Sequence, residues 1–273
     1  MFLFHDADGY PLAYQEAGVG EPLLLVHGSL ADCRAWVHQM PVFAQACRTI
    51  AVSLRHCYPE RWDGAAADFT VHRHAEDLAA LVAGRGLGPV HIAGHSRGGA
   101  VALQFARSNP DLVRSMVLAD PGGLEGLLPD TEEGRRMAGE SKAMFARLRD
   151  DLAHGDATSA ARAFVEATGG AGAWERRTSE QRQMLLDNLA TGPACAERPR
   201  ITRDDIVALS APMLLVTGAR SPPRYPLMLA ELARANPNVR GLVVIPAAAH
   251  AMNRENPAAF NAAVSNFLAG LRA

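Results

Sequence analysis

The sequence predicts an α/β fold: a mostly parallel, eight-stranded sheet flanked by helices, with an inserted helical cap. Three observations carry this expectation. Short apolar runs alternate with helical patterns along most of the chain, which is how parallel strands covered on both faces read. That alternation stops between Asp120 and about Asp205, where amphipathic helical segments and turn signals replace strands. The first residues instead pair two short apolar runs across Asp8-Gly9, the pattern of an antiparallel hairpin.

Taken in order, Phe2-Asp6 and Leu12-Ala17 form the hairpin. The parallel strands expected are Leu23-Val26, Thr49-Val52, Val90-Ala93, Ser115-Ala119, Met213-Thr217 and Leu242-Ile245, all apolar enough to be buried on both faces. Helices are expected at about Trp36-Cys47, His72-Val82, Arg97-Arg107 and Arg224-Ala235. The last helix is the clearest: Asn256 caps it, Pro257 suits its first turn, and Phe260, Val264, Phe267, Leu268 and Leu271 form one apolar stripe. Turn signals at Pro129-Asp130, Gly155-Asp156 and Gly169-Gly170 divide the inserted helices. The expected organisation is a core of residues 1–120 and 206–273, with residues 121–205 as the cap over a cleft.

Composition bounds the function. Of 273 residues, 48% are hydrophobic and 21% charged, an ordinary globular balance. The net charge is -2 with no basic block, which gives no footing for nucleic acid or an anionic membrane. No signal peptide and no membrane span are read, so a cytoplasmic location is expected. Cys33, Cys47, Cys57 and Cys195 have neither CxxC nor zinc-ligand spacing and are expected as reduced, packing thiols.

The chemistry concentrates at Gly94-His95-Ser96-Arg97-Gly98, between an apolar strand and a helix. A serine lifted out of a sheet on a sharp turn needs small neighbours two positions away, and Gly94 and Gly98 provide them. The helix N-terminus below it favours negative charge developing on a bound substrate. His95 is read as packing or hydrogen bonding, and the Arg97 side chain as a partner for a nearby carboxylate.

With this turn, the earlier Leu25-Val26-His27-Gly28-Ser29 segment and the late His250, the whole chain resembles the α/β-hydrolase fold family. The resemblance implies Ser96 as nucleophile and His250 as base, in the chain order serine, acid, histidine. It also implies an oxyanion site from the backbone N–H groups of Arg97 and of the residue after His27-Gly28, which is Ser29, or Leu30 if the loop is shifted by one.

The acid departs from the commonest family pattern. The penultimate strand is followed by Gly218-Ala-Arg-Ser-Pro-Pro-Arg, with no carboxylate in reach. Asp120, at the end of the preceding strand, matches an alternative position that some family members use. Neighbouring strands lie only about 4.8 Å apart, so Asp120 could serve the same imidazole. Asp120-Pro121-Gly122-Gly123 also reads as an ordinary turn, and Ser221 as a bystander or secondary hydrogen-bonding group.

The expected reaction is hydrolysis of an ester-type bond (carboxylic ester, lactone or thioester) in a small molecule, with no metal and no cofactor. The same constellation also serves C–C hydrolases, perhydrolases and cofactor-independent dioxygenases, and a ligand-binding module could retain it. Serine at position 96 argues against the aspartate-dependent dehalogenases and epoxide hydrolases. Met137, Met144, Phe145, Phe164 and Trp174 are candidate pocket walls, or simply cap core. Arg55 and His56 meet a polar or anionic substrate group, or are solvated or paired internally.

Overall fold

The computed structural model describes residues 1–197, 199 and 201–272. Strands β1 (Leu3–Ala7) and β2 (Tyr10–Ala17) form the N-terminal hairpin. Asp8 and Gly9 both have positive φ, 52° and 85°, as a two-residue turn matched to strand twist requires. Strands β3 (Glu21–Val26), β4 (Cys47–Val52), β5 (Val90–His95), β6 (Val113–Ala119), β7 (Met213–Gly218) and β8 (Val239–Ile245) complete one sheet, ordered β1-β2-β4-β3-β5-β6-β7-β8. Pairing is antiparallel from β1 to β4 and parallel from there to β8.

The helices are α1 (Met40–Phe43), α2 (Val71–Gly84), α3 (Arg97–Ser108), α4 (Glu132–His154), α5 (Ala157–Gly169), α6 (Ser179–Asp187), α7 (Arg203–Val207), α8 (Arg224–Ala235), α9 (Met252–Glu255) and α10 (Pro257–Gly270). Alternate residues of β3 serve two apolar layers. Leu24 and Val26 join the layer under α2, α3 and α8, while Leu23 and Leu25 face Phe260 and Val264 of α10. Asn256 caps α10 as its sequence implies, accepting from the Ala259 N–H at 3.3 Å. All four cysteines are buried and reduced. No helix among the described residues is long and apolar enough to cross a membrane.

Two expectations are corrected. The helix expected over Trp36-Cys47 is a 3-10 turn at Cys33–Trp36 followed by the single-turn α1. Asp32 caps the first by accepting from the Arg34 N–H, and Pro41, lacking an N–H, starts the second afresh. The strand ending at Ile245 is not buried on both faces. As the sheet edge it has a strand neighbour on one side only, and Leu242 and Val244 remain 39% and 53% exposed.

Between β6 and β7 the chain runs through α4, α5, α6 and α7. Phe145, Leu148, Ala160, Val165, Trp174 and Leu185 of this stretch belong to the same apolar cluster as the sheet residues under α2 and α3. The short α7 packs instead beside α8, where Asn236 Nδ2 donates to the carbonyls of Ile206 and Leu209.

Candidate active site

Ser96 joins β5 to α3 with φ 53° and ψ -116°, a conformation that costs a non-glycine residue roughly 1–3 kcal/mol and persists only when its surroundings impose it. They do so through the backbone. The Ser96 N–H donates to Ala119 O at the end of β6, and Ser96 O accepts from the N–H groups of Gly99 and Gly122, all at 2.9 Å. The flanking glycines are sterically required: a Cβ on Gly94 would sit 2.3 Å from Gly98 O, and one on Gly98 only 2.1 Å from Val26 O. Because both obstacles are backbone, Gly98→Ala is expected to lower stability by about 3 kcal/mol or more. Urea unfolding reads this directly, and a variant as stable as wild type would contradict the packing described.

The end of β3 backs onto the same turn. A Cβ on Gly28 would lie 3.1 Å from Ser96 Cβ and 3.0 Å from His95 Nδ1. His27 is buried and structural: burial lowers its pKa to about 4, so it is neutral. Its Nε2 accepts from the Leu54 N–H at 3.0 Å, and its Nδ1 donates to Gly28 O at 2.8 Å.

His250 lies in the loop between β8 and α9 and is held from several directions. Its Nδ1 is 3.1 Å from Asp120 Oδ2. The same carboxylate oxygen accepts from Ser221 Oγ at 2.6 Å, and Ser221 Oγ in turn accepts from the Gly218 N–H at 3.1 Å. Ser221 is therefore a secondary partner of Asp120. His95 Nε2 donates to the His250 carbonyl at 2.7 Å, and burial keeps His95 neutral, with a pKa near 3. The Tyr225 ring stacks on His250 at 4.6 Å. Asp120 is fully buried with φ 40°, and burial pushes its carboxyl up to about 7 against the pull of the Ser221 hydroxyl.

Ser96 and His250 line one cavity together with Gly28, Ser29, Met144 and Phe145. Phe164 also lines it. The cavity is narrow, about 40 Å³. Five sequence candidates lie elsewhere. Leu30 and Trp174 are buried in the apolar core and do not line the cavity. Arg55 pairs with Asp77 at 2.6 Å and Asp68 at 3.2 Å, over the Tyr10 ring. His56 bridges Glu60 and Asp68 at 2.9 and 2.7 Å. Carboxylates from later segments thus engage both polar side chains, leaving them structural. Met137 is likewise buried away from the cavity.

The Arg97 side chain braces the inserted segment, donating to the carbonyls of Glu197 and Phe69 at 3.1 Å each. Sequence reasoning missed Tyr225, Asn253, Arg177 and Arg254, all of which line the cavity. Only Asn253 and Arg254 had a signal, standing three and four residues after His250. A hydroxyl on a strained turn, an imidazole held by a buried carboxyl and a cavity common to both can support nucleophilic acyl transfer.

Residues 23–263 match the α/β-hydrolase family profile, and the chain belongs to that family. It has the α/β-hydrolase fold, and its named relatives differ in what they act on. It is 28% identical to the 2-(acetamidomethylene)succinate hydrolase of Mesorhizobium japonicum, over 94% of this chain and 91% of that protein. It is similar in structure to a thermophilic esterase from Thermogutta terrifontis, solved with malate bound: TM-score 0.78, 27% identity, 100% of this chain and 99% of that one. An uncharacterised protein of Mycobacterium tuberculosis is 34% identical over 121 residues, 44% of this chain, and the match spans only 35% of that relative's length.

Proposed function

We propose that the protein is a serine hydrolase that cleaves an ester-type bond through an acyl-enzyme on Ser96. The observation that carries this reading is the strained Ser96 turn opening into the cavity of His250, whose Nδ1 lies 3.1 Å from buried Asp120. In the mechanism, Ser96 Oγ attacks the substrate carbonyl and His250 Nε2 takes its proton. The Asp120 carboxylate holds the Nδ1–H tautomer and stabilises the imidazolium. The backbone N–H groups of Arg97 and Ser29 receive the oxyanion. Ser29 suits this role better than Leu30, since Ser29 lines the cavity. His250 then protonates the leaving alkoxide or thiolate. A water attacks the acyl-enzyme with its proton passing to His250, and the acid leaves as Ser96 recovers its own.

The helices α4 to α6 act as a cap in this reading, since Met144, Phe145 and Phe164 supply apolar wall to the cavity that Ser96 lines. The cavity is narrow, which suits a short acyl group. The test is a series of p-nitrophenyl esters from acetate to octanoate, with a fluorophosphonate label read by mass spectrometry. Labelling of Ser96 and a fall in kcat/KM of about tenfold or more from acetate to octanoate are expected. No turnover and no label would leave a ligand-binding module in place of an enzyme.

A further inference from the structure

Two cations face the same cavity and have no described partner. Arg177 precedes α6 in the inserted segment, and Arg254 sits in α9, four residues after His250; both line the cavity of Ser96. Arg254 Nε and Nη1 and Arg177 Nε are buried without a hydrogen bond, and no ion pair among the described residues reaches either guanidinium. Burial, reinforced by the charge of Arg177, lowers the Arg254 pKa to about 9, and burial also lowers that of Arg177. Both remain charged near neutral pH.

The surrounding carboxylates hydrogen-bond elsewhere, and Glu255 acts on both cations only through space. Asp32 binds Arg34 at 2.7 Å and accepts from Asn188 Nδ2 at 2.7 Å. Glu255 Oε2 accepts from the Ala249 N–H at 2.7 Å, and Glu166 from the Trp174 N–H at 2.8 Å. Two half-buried like charges without a described ion pair are unfavourable in a fold unless something else neutralises them. Arg177, Ala251 and Arg254 also form the partition between the catalytic cavity and an outer cavity of about 350 Å³. That outer cavity adds Arg176 and Arg220, with Glu255 as its one lining carboxylate among the described residues. The field along this route draws anions inward.

We propose that Arg177 and Arg254 form a carboxylate subsite, so that the substrate is a short acyl ester carrying a second, free carboxylate, such as the half-ester of a dicarboxylic acid. This rests on the hydrolase reading of the same site and names its substrate class. Guanidinium groups bind carboxylates through paired hydrogen bonds, and the narrow cavity suits a planar anion. One cation comes from the inserted helices and the other from the core, so the bound carboxylate ties the two together over Ser96.

Two measurements on the full-length protein separate the subsite from the hydrolase reading. Calorimetry with succinate reads binding without turnover, and Arg254→Gln and Arg177→Gln are each expected to weaken it about 100-fold. Kinetics compare monomethyl succinate with methyl butanoate, its near-isosteric neutral counterpart. Wild type is expected to prefer the half-ester about 100-fold in kcat/KM, and the ratio is expected to collapse to about fivefold or less in either variant. Folding is not at risk, because loss of a half-buried cation without a described ion pair is expected to raise the ligand-free Tm of Arg254→Gln. Succinate binding that depends on both arginines supports the subsite even if neither ester is cleaved, in which case only the hydrolase reading falls. The subsite is overturned if wild type cleaves methyl butanoate without preferring the half-ester, or if both variants keep the preference. It is also overturned if inorganic phosphate displaces succinate at equal concentration, which would make the anion a phosphate.

Discussion

Ser96→Ala is expected to lower kcat on short p-nitrophenyl esters by about 10⁴ to 10⁶-fold, with His250→Ala close to the same loss because the two act as a unit. The reason lies in the local backbone. The residue at position 96 is held at φ 53° and ψ -116° by hydrogen bonds to Ala119, Gly99 and Gly122, so any residue with a Cβ is strained there. Ser96→Gly separates the two consequences: it is expected to be as inactive as the alanine variant, yet more stable than wild type by about 1 kcal/mol, because glycine accepts this conformation without strain. Urea unfolding and single-turnover assays of the three proteins test both halves. Activity within tenfold of wild type in Ser96→Ala would remove this serine from the mechanism.

Asp120→Asn is expected to lower kcat by about 10³ to 10⁴-fold while making the protein more stable at alkaline pH. The activity loss follows from His250 Nδ1, which faces Asp120 Oδ2 at 3.1 Å and would lose the acceptor that sets its tautomer. The stability gain follows from burial, which raises the folded carboxyl to about 7. An unfolded aspartate titrates near 4, so between those values the folded state holds a proton that the unfolded state has released. The stability contributed by the protonated carboxyl is therefore complete below about pH 4 and lost as pH rises through about 7. Wild type and Asp120→Asn should then be similar near pH 4 and diverge to on the order of 2–4 kcal/mol by pH 8. Denaturant melts at four pH values would show this. A constant gap would mean that another group compensates the buried charge, and near-normal activity would move the acid elsewhere.

Much of the fold was legible because local chemistry and tertiary role agree. The Asp8-Gly9 turn can only be made by residues that tolerate positive φ, and strands sandwiched between helices must be apolar throughout. The turn at Gly94 to Gly98 was legible for the same reason: two backbone segments meet there at distances that exclude any Cβ. Where a neighbour decides, local pattern misleads. Leu242 and Val244 read as interior yet lie exposed on an edge strand, and Pro41 divides what reads as one helix.

The site divides along the same line. The sequence by itself determined the strand-turn-helix that carries Ser96, the His27-Gly28 turn behind it and the late loop that carries His250, because each depends on residues close together in the chain. Only the tertiary structure decided which polar residues meet in the cavity. Arg55 and His56 were drawn into ion pairs with Asp68, Asp77 and Glu60, while Arg177 and Arg254, far apart in sequence, converge on the cavity without a described carboxylate partner. Long-range pairing depends on which segments the sheet order brings side by side, and no local pattern encodes whether a charge will find its partner.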